Sequence, residues 1–334
     1  MSSYYLGMFG DGMPATFAAA KDKLMPVVRD RALQEYIRLS QEQAAGETST
    51  GLACVPFSAD ALLMIVCDCE HSMSTLNQQN LSDWGVTFDE ALAVASNNLR
   101  DATVSNFAQF IPGLFVSDWN DYYDSSRILF SDVVFQRNVG AEPVMMIPTR
   151  NRLFVTSAND TAGLLAMISL SEKVVADEGR AVSALMYRFA NGQPVPYTPT
   201  DDAVRDRLAH FRRTFLADDY ASQKDLMDRA NEKNGVDLFV GTYQLVQDKQ
   251  SGRSASMGVW TEDVDTLLPE VDLVVLVSKA ELDDGEVDTK FVNWADLQAV
   301  TGQFERLDEG YPARYKPVNF PDKARREALD EARI

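Results

Sequence analysis

Residues Ala141–Val175, AEPVMMIPTRNRLFVTSANDTAGLLAMISLSEKVV, decide how the chain is read. Two short apolar runs, Val144 to Ile147 and Leu153 to Thr156, flank the basic turn Thr149-Arg150-Asn151-Arg152. A polar cluster follows, and then Leu164, Leu165, Ile168 and Val175 recur at helical spacing. This predicts a hairpin feeding a helix that packs back onto it.

Upstream, the apolar run Tyr4 to Phe9 predicts a strand, followed by Gly10-Asp11-Gly12-Met13-Pro14-Ala15. Those six residues fit G-x-G-x-x-A, but the next expected strand starts only near Leu52 and Pro14 removes a phosphate-cradling N–H. A glycine turn is the better reading, and no cofactor is expected. Helical spacing then runs through Phe17, Leu24, Val28, Leu33, Tyr36 and Ile37 to about Gln43, kinked or divided at Pro26. Leu52 to Phe57 and Ala61 to Cys69 predict a hairpin, and polar His71 to Asp83 a loop. Thr87-Phe88-Asp89-Glu90 is a capping box opening a helix with Phe88, Ala91, Leu92, Ala95 and Leu99 on one stripe. Phe107 to Val116, Arg127 to Gln136 and Ala181 to Phe189 are strand-like.

The Pro- and Gly-rich stretch NGQPVPYTPTDD, residues 191–202, marks a boundary. A long charged helix from Ala203 to Asn234 stops at Gly235, and strands Val236–Gln247, Ser254–Trp260 and Asp272–Ser278 follow. The fold class expected is α+β, with mainly antiparallel, mixed sheets and packed helices. It divides into an N-terminal domain, 1–195, and an acidic C-terminal one, 200–334, in which a helix precedes antiparallel strands.

The formal net charge of −19 restricts partners: nucleic acid and anionic membrane surfaces would be repelled. Residues 201–334 carry 18 basic and 28 acidic side chains, so the excess is concentrated there. Between Thr261 and Asp288, acids such as Glu262, Asp263, Asp265, Asp283 and Asp284 face Lys279 alone. They form either a solvated face or a docking face for a basic protein. No apolar run of about 18 residues predicts a membrane span, no secretory leader is expected, and three cysteines suit a reducing cytoplasm.

Among chemistry-bearing residues, Cys54, Cys67, Cys69 and His71 could supply four zinc ligands if they shared a strand face. The thiols equally read as the end of a buried stripe, and no metal is expected. His210, in the helical HFRRTF, suits a solvated or interhelical position. Arg150 and Arg152 could clamp a carboxylate or phosphate, or pair with the chain's own acids.

Val86-Thr87-Phe88-Asp89-Glu90-Ala91-Leu92 with Asn98-Leu99, Ile147-Pro148-Thr149-Arg150-Asn151-Arg152-Leu153-Phe154-Val155-Thr156 and Ala162-Gly163-Leu164-Leu165 together resemble an uncharacterised bacterial YtpQ-like protein family. The resemblance spans roughly Val86 to Ala190. It implies a hairpin-plus-helix α+β core and carries no catalytic residue.

The function expected is that of a non-enzymatic cytoplasmic protein-binding protein of immunity or adaptor type, engaging a partner with a basic surface. The alternative is a hydrolytic enzyme using carboxylates near the Arg150/Arg152 turn.

Overall fold

The computed structural model describes residues 12–45, 51–104, 106–137, 139–140, 142–248, 252–278, 288–307 and 309–332. The expected strand Tyr4–Phe9, the residues Gly10 and Asp11, and the acids Asp283 and Asp284 lie outside them. The fold is α+β. Met1–Arg31 and Thr48–Leu208 make up one compact unit, and Ala32–Glu47 with Ala209–Ile334 the other.

In the first unit, α1 (Phe17–Ala20) leads into β1 (Leu24–Asp30). The long helix expected from Pro14 to Gln43 is therefore broken. Leu24 and Val28 fit a helical period, but Pro26 supplies no N–H, and Val27 and Val28 are β-branched. The run instead pairs antiparallel with β3, from Leu24 opposite Cys67 to Asp30 opposite Ala61. Helix resumes only at α2 (Arg31–Ala45), most of which belongs to the second unit. β2 (Cys54–Pro56) and β3 (Ala61–Cys69) form the expected hairpin.

The segment read as a loop from His71 holds β4 (Ser72–Thr75), paired to β3, and α3 (Gln78–Trp84). Its helix signal lies in caps rather than apolar periodicity: Asn77 and Asn80 form a reciprocal box, and Gly85 ends the helix at φ +68°. α4 (Phe88–Asp101) opens with the predicted Thr87–Glu90 box and buries Ala91, Ala95 and Leu99.

Phe107 to Val116 is two strands, β5 (Phe107–Ile111) and β6 (Leu114–Ser117), turning at Gly113 with φ +84°. Arg127 to Gln136 is not a strand but a 3-10 turn over Ser125–Leu129 and α5 (Ser131–Phe135). Val133 and Val134 are buried there, so packing overrides their β propensity.

β7 (Pro143–Met146) and β8 (Phe154–Ser157) form the central hairpin in antiparallel register, Val144 opposite Thr156. α6 (Thr161–Glu178) follows, with the Gly163 N–H donating to Asp160 at 2.9 Å. A Cβ at Gly163 would lie 2.3 Å from Thr156 Oγ1, so this helix approaches β8 as only glycine allows.

β9 (Met186–Ala190) and β10 (Gln193–Tyr197) complete a six-stranded sheet, ordered β10-β9-β7-β8-β6-β5. Residues read as boundary thus include an edge strand, where prolines at 194 and 196 fit. Ala181 to Leu185 is not strand. Ser183 Oγ and the Ala184 N–H both donate to the buried Asp60 carboxylate.

Helix α7 (Asp202–Asn234) runs from the first unit into the residues of the second. The second unit holds β11 (Phe239–Val240), β12 (Gln244–Gln247), β13 (Ser254–Thr261), β14 (Thr266–Pro269), β15 (Leu273–Ser278), β16 (Asp288–Asn293), α8 (Trp294–Thr301), β17 (Glu305–Arg306), β18 (Arg314–Lys316) and α9 (Lys323–Ala328). Its sheets are mixed: β12 and β16 pair antiparallel with β13 and β15, which run parallel to each other. Trp260 and Trp294 each meet Phe304 edge-on, at 5.7 and 5.2 Å, so both act as packing anchors. No described helix is long and apolar enough to cross a membrane.

Candidate functional site

The tip of the β7–β8 hairpin separates its two arginines. Arg152 Nε donates to Glu178 Oε1 at 2.7 Å, and Thr149 Oγ1 holds the other carboxylate oxygen at 3.0 Å. Glu178 ends α6, so Arg152 ties the helix to the hairpin that precedes it.

Arg150 is placed differently. Its N–H donates to Arg180 O at 3.3 Å, and the Ser125 N–H donates to Arg150 O at 3.2 Å. A bridge between Thr149 and Ala181 holds the same alignment. The Arg150 guanidinium lies 4.7 Å from the Tyr122 ring centroid, an attractive cation–π arrangement.

A third arginine, Arg29, comes from β1. It is half-buried, and its Nη1 donates to Val28 O at 3.0 Å. Burial and the nearby Arg150 charge push its pKa down to about 10; Arg180 pushes the same way and Tyr123 partly opposes. Tyr123 OH donates to Asp68 Oδ2 at 2.6 Å, and burial, then Asp68, raises its pKa above the ordinary tyrosine value.

The backbone around these side chains is unusual. Six described non-glycine residues have positive φ; three are Asn and one is Asp. The other two, Tyr122 at φ 70° and Arg180 at φ 54°, both belong to this cluster. Asn and Asp enter the left-handed region with local hydrogen-bonding help, whereas Tyr and Arg do so at a cost of roughly 1–3 kcal/mol.

Arg127 secures the segment carrying Tyr122 and Tyr123. It is fully buried, with Nη1 and Nη2 on Asp121 at 2.8 and 2.6 Å, Nε on Thr103 at 2.9 Å, and its guanidinium 4.4 Å from the Trp119 ring. The charges of Arg150 and Arg180 both act on the Arg29 guanidinium, and a carboxylate or phosphate placed among the three would offset that repulsion.

The remaining expected residues disperse. Cys54 lies opposite Met64 in the β2–β3 register and packs in a different cluster from Cys67 and Cys69. Four-ligand zinc geometry therefore does not form, because Cys54 projects from the other face of the sheet. His71 is exposed in the β3–β4 turn. Among the described residues no group of three or more potential ligands is gathered for a metal. Cys67 Sγ lies 3.6 Å from Cys69 Sγ, both are buried in one apolar cluster, and burial pushes the Cys67 thiol up to about 12, as suits the end of a buried stripe.

Glu262 accepts from Ser278 Oγ at 2.8 Å, and Asp265 pairs with Lys316 at 2.9 Å, while Asp263 is exposed. His210 Nδ1 lies 2.9 Å from Ser254 Oγ, joining α7 to β13. Asp124, beside the arginine turn, has its pKa raised by burial and is wholly enclosed, which keeps substrate from it.

Sequence reasoning missed Arg29 and Arg180, whereas Tyr122 stands among the loop aromatics (Trp119, Tyr122, Tyr123, Trp260 and Trp294) that the sequence offers as interface markers or packing anchors. Arg29 was hidden by the helical reading of its strand, and Arg180 follows Gly179 in what looks like an ordinary helix stop. Comparison with protein families, curated proteins and solved structures finds no match for this chain.

Proposed function

We propose that this chain is a binding protein whose first unit takes a carboxylate or phosphate group of its partner into the Arg29–Arg150–Arg180 cluster. One observation carries this reading. In a chain of net charge −19, Arg150 and Arg180 lie close enough to Arg29 for their charges to add to burial in lowering its proton affinity. Two of the residues in that arrangement hold backbone conformations that cost energy. Inorganic phosphate and citrate, titrated calorimetrically into the full chain, test it. Binding that Arg150→Gln weakens roughly tenfold or more supports the reading, because a charged hydrogen-bond donor contributes about 1.5–3 kcal/mol. The absence of heat with either anion, together with no shift of the melting temperature, contradicts it.

A second reading, an adaptor or immunity-type protein engaging a basic partner, is favoured by the charge of residues 201–334. It predicts capture of a basic probe protein such as lysozyme at low salt, with release at raised salt. The exposed Asp263 would contribute to such a face, whereas Glu262 and Asp265 are engaged within the chain.

A further inference from the structure

The second unit contains a buried cation outside the arginine cluster. Arg314, on β18, is 5% exposed. Its Nη2 donates to Tyr220 O at 3.0 Å, and its guanidinium lies 4.9 Å from the Tyr220 ring centroid. Its Nε and Nη1 are buried and meet no acceptor among the described residues. A guanidinium has five N–H donors and cannot shed its charge near neutral pH. Leaving several of them unanswered in a buried position costs about 1–3 kcal/mol or more, since the group is charged.

Arg314 lines a cavity of about 30 Å3 together with Glu35, Leu39, Met227, Tyr311 and Pro312. One water requires ~10–15 Å3 on this scale, so the space accepts one halide-sized ion or about two waters. Leu39, Met227 and Pro312 offer apolar wall, which suits a weakly hydrated, polarisable anion better than a compact multivalent one.

The Glu35 carboxylate does not fill the role of partner. Both of its oxygens are held by Arg38, Oε2 by Nε at 3.0 Å and Oε1 by Nη2 at 2.5 Å. Asp228, whose field reaches Arg314, is itself paired with Lys224 at 2.7 Å. Arg38 also holds Glu42 at 2.6 Å, so Glu35 is turned to Arg38 and the Arg314 Nε–H and Nη1–H groups keep their hydrogen-bonding capacity for an occupant of the cavity.

We infer that the Arg314 cavity is a site for a small monovalent anion of halide size, bound by the Nε–H and Nη1–H groups against the Leu39–Met227–Pro312 wall.

Bromide-soaked crystals of the full chain and chloride-35 NMR linewidths test it. The expected results are an anomalous bromide peak within hydrogen-bonding distance of Arg314 Nε or Nη1, and excess chloride linewidth that bromide displaces. Arg314→Met should abolish that excess. Should that variant fail to fold, Leu39→Phe, which fills the cavity and leaves the guanidinium in place, should abolish it as well. Two ordered waters at Nε and Nη1 with no bromide peak would overturn the inference, as would a linewidth that Leu39→Phe leaves unchanged. Because phosphate exceeds the cavity, this outcome is independent of the Arg29–Arg150–Arg180 titration.

Discussion

Arg127 in the first unit and Arg314 in the second are both buried and both lie over an aromatic ring, yet their surroundings differ. Arg127 finds a carboxylate, a hydroxyl and Trp119, so each of its three nitrogens is answered within the fold. Arg314 finds one carbonyl and Tyr220. The first arginine is thereby a structural clamp, whereas the second carries unused donor capacity. Burial of a charge alone does not distinguish the two roles; the count of satisfied N–H groups does.

The largest effect expected from breaking this comparison is at the clamp. Arg127→Met removes three hydrogen bonds and strands Asp121, and should lower stability by about 2–3 kcal/mol in urea denaturation. That is below the 3–5 kcal/mol of a fully buried pair because Asp121 remains partly solvated. The same variant should alter the acid limb. Burial raises the Asp121 pKa, but hydrogen bonds and charge from Arg127 outweigh it, leaving a net depressed value. A folded-state value below the unfolded one means the unfolded chain binds more protons as pH falls. The stabilisation is thus present above the ordinary carboxylate pKa and is lost as pH falls through the depressed value. Arg127→Met should flatten that fall.

Arg314→Met should be far milder, within about 1 kcal/mol of the parent or slightly more stable in halide-free buffer, because a partly answered buried charge is exchanged for an apolar chain of similar length. A loss as large as that of Arg127→Met would erase the distinction between the two arginines.

A smaller effect, with opposite signs for stability and binding, belongs to the arginine cluster. Arg180→Gly should raise stability by roughly 1 kcal/mol, since glycine accepts φ 54° without the steric cost of a side chain. It should also weaken binding of phosphate. Thermal melts and calorimetry on the same preparation would read both. At the alkaline end, Cys67→Ala should reduce the loss of stability with rising pH. The Cys67 thiol is held up at about 12, so its contribution is present below the unfolded thiol pKa and lost as pH rises through the folded value.

Much of the architecture was legible where local signals agreed with tertiary need. The Val144–Thr156 hairpin, the α6 stripe, the Thr87–Glu90 box and the charged α7 all combine periodicity with caps or turns. The failures share a cause. At Leu24–Asp30 and Ser131–Phe135 the local pattern fitted two structures, and pairing or burial decided between them. The site was legible only in part for the same reason. Arg150 stood out against an acidic background, but Arg152 is consumed by Glu178. Arg29 and Arg180 reach Arg150 through β1 and the Thr149–Ala181 bridge, long-range arrangements with no sequence signature.

The most direct measurement is calorimetric titration of inorganic phosphate into the full chain and its Arg29→Gln variant at low salt. The account predicts saturable binding by the parent that the variant weakens roughly tenfold or more, with phosphate raising the melting temperature of the parent more than that of the variant at equal concentration. Equal affinity for parent and variant, or no binding by either, would contradict it.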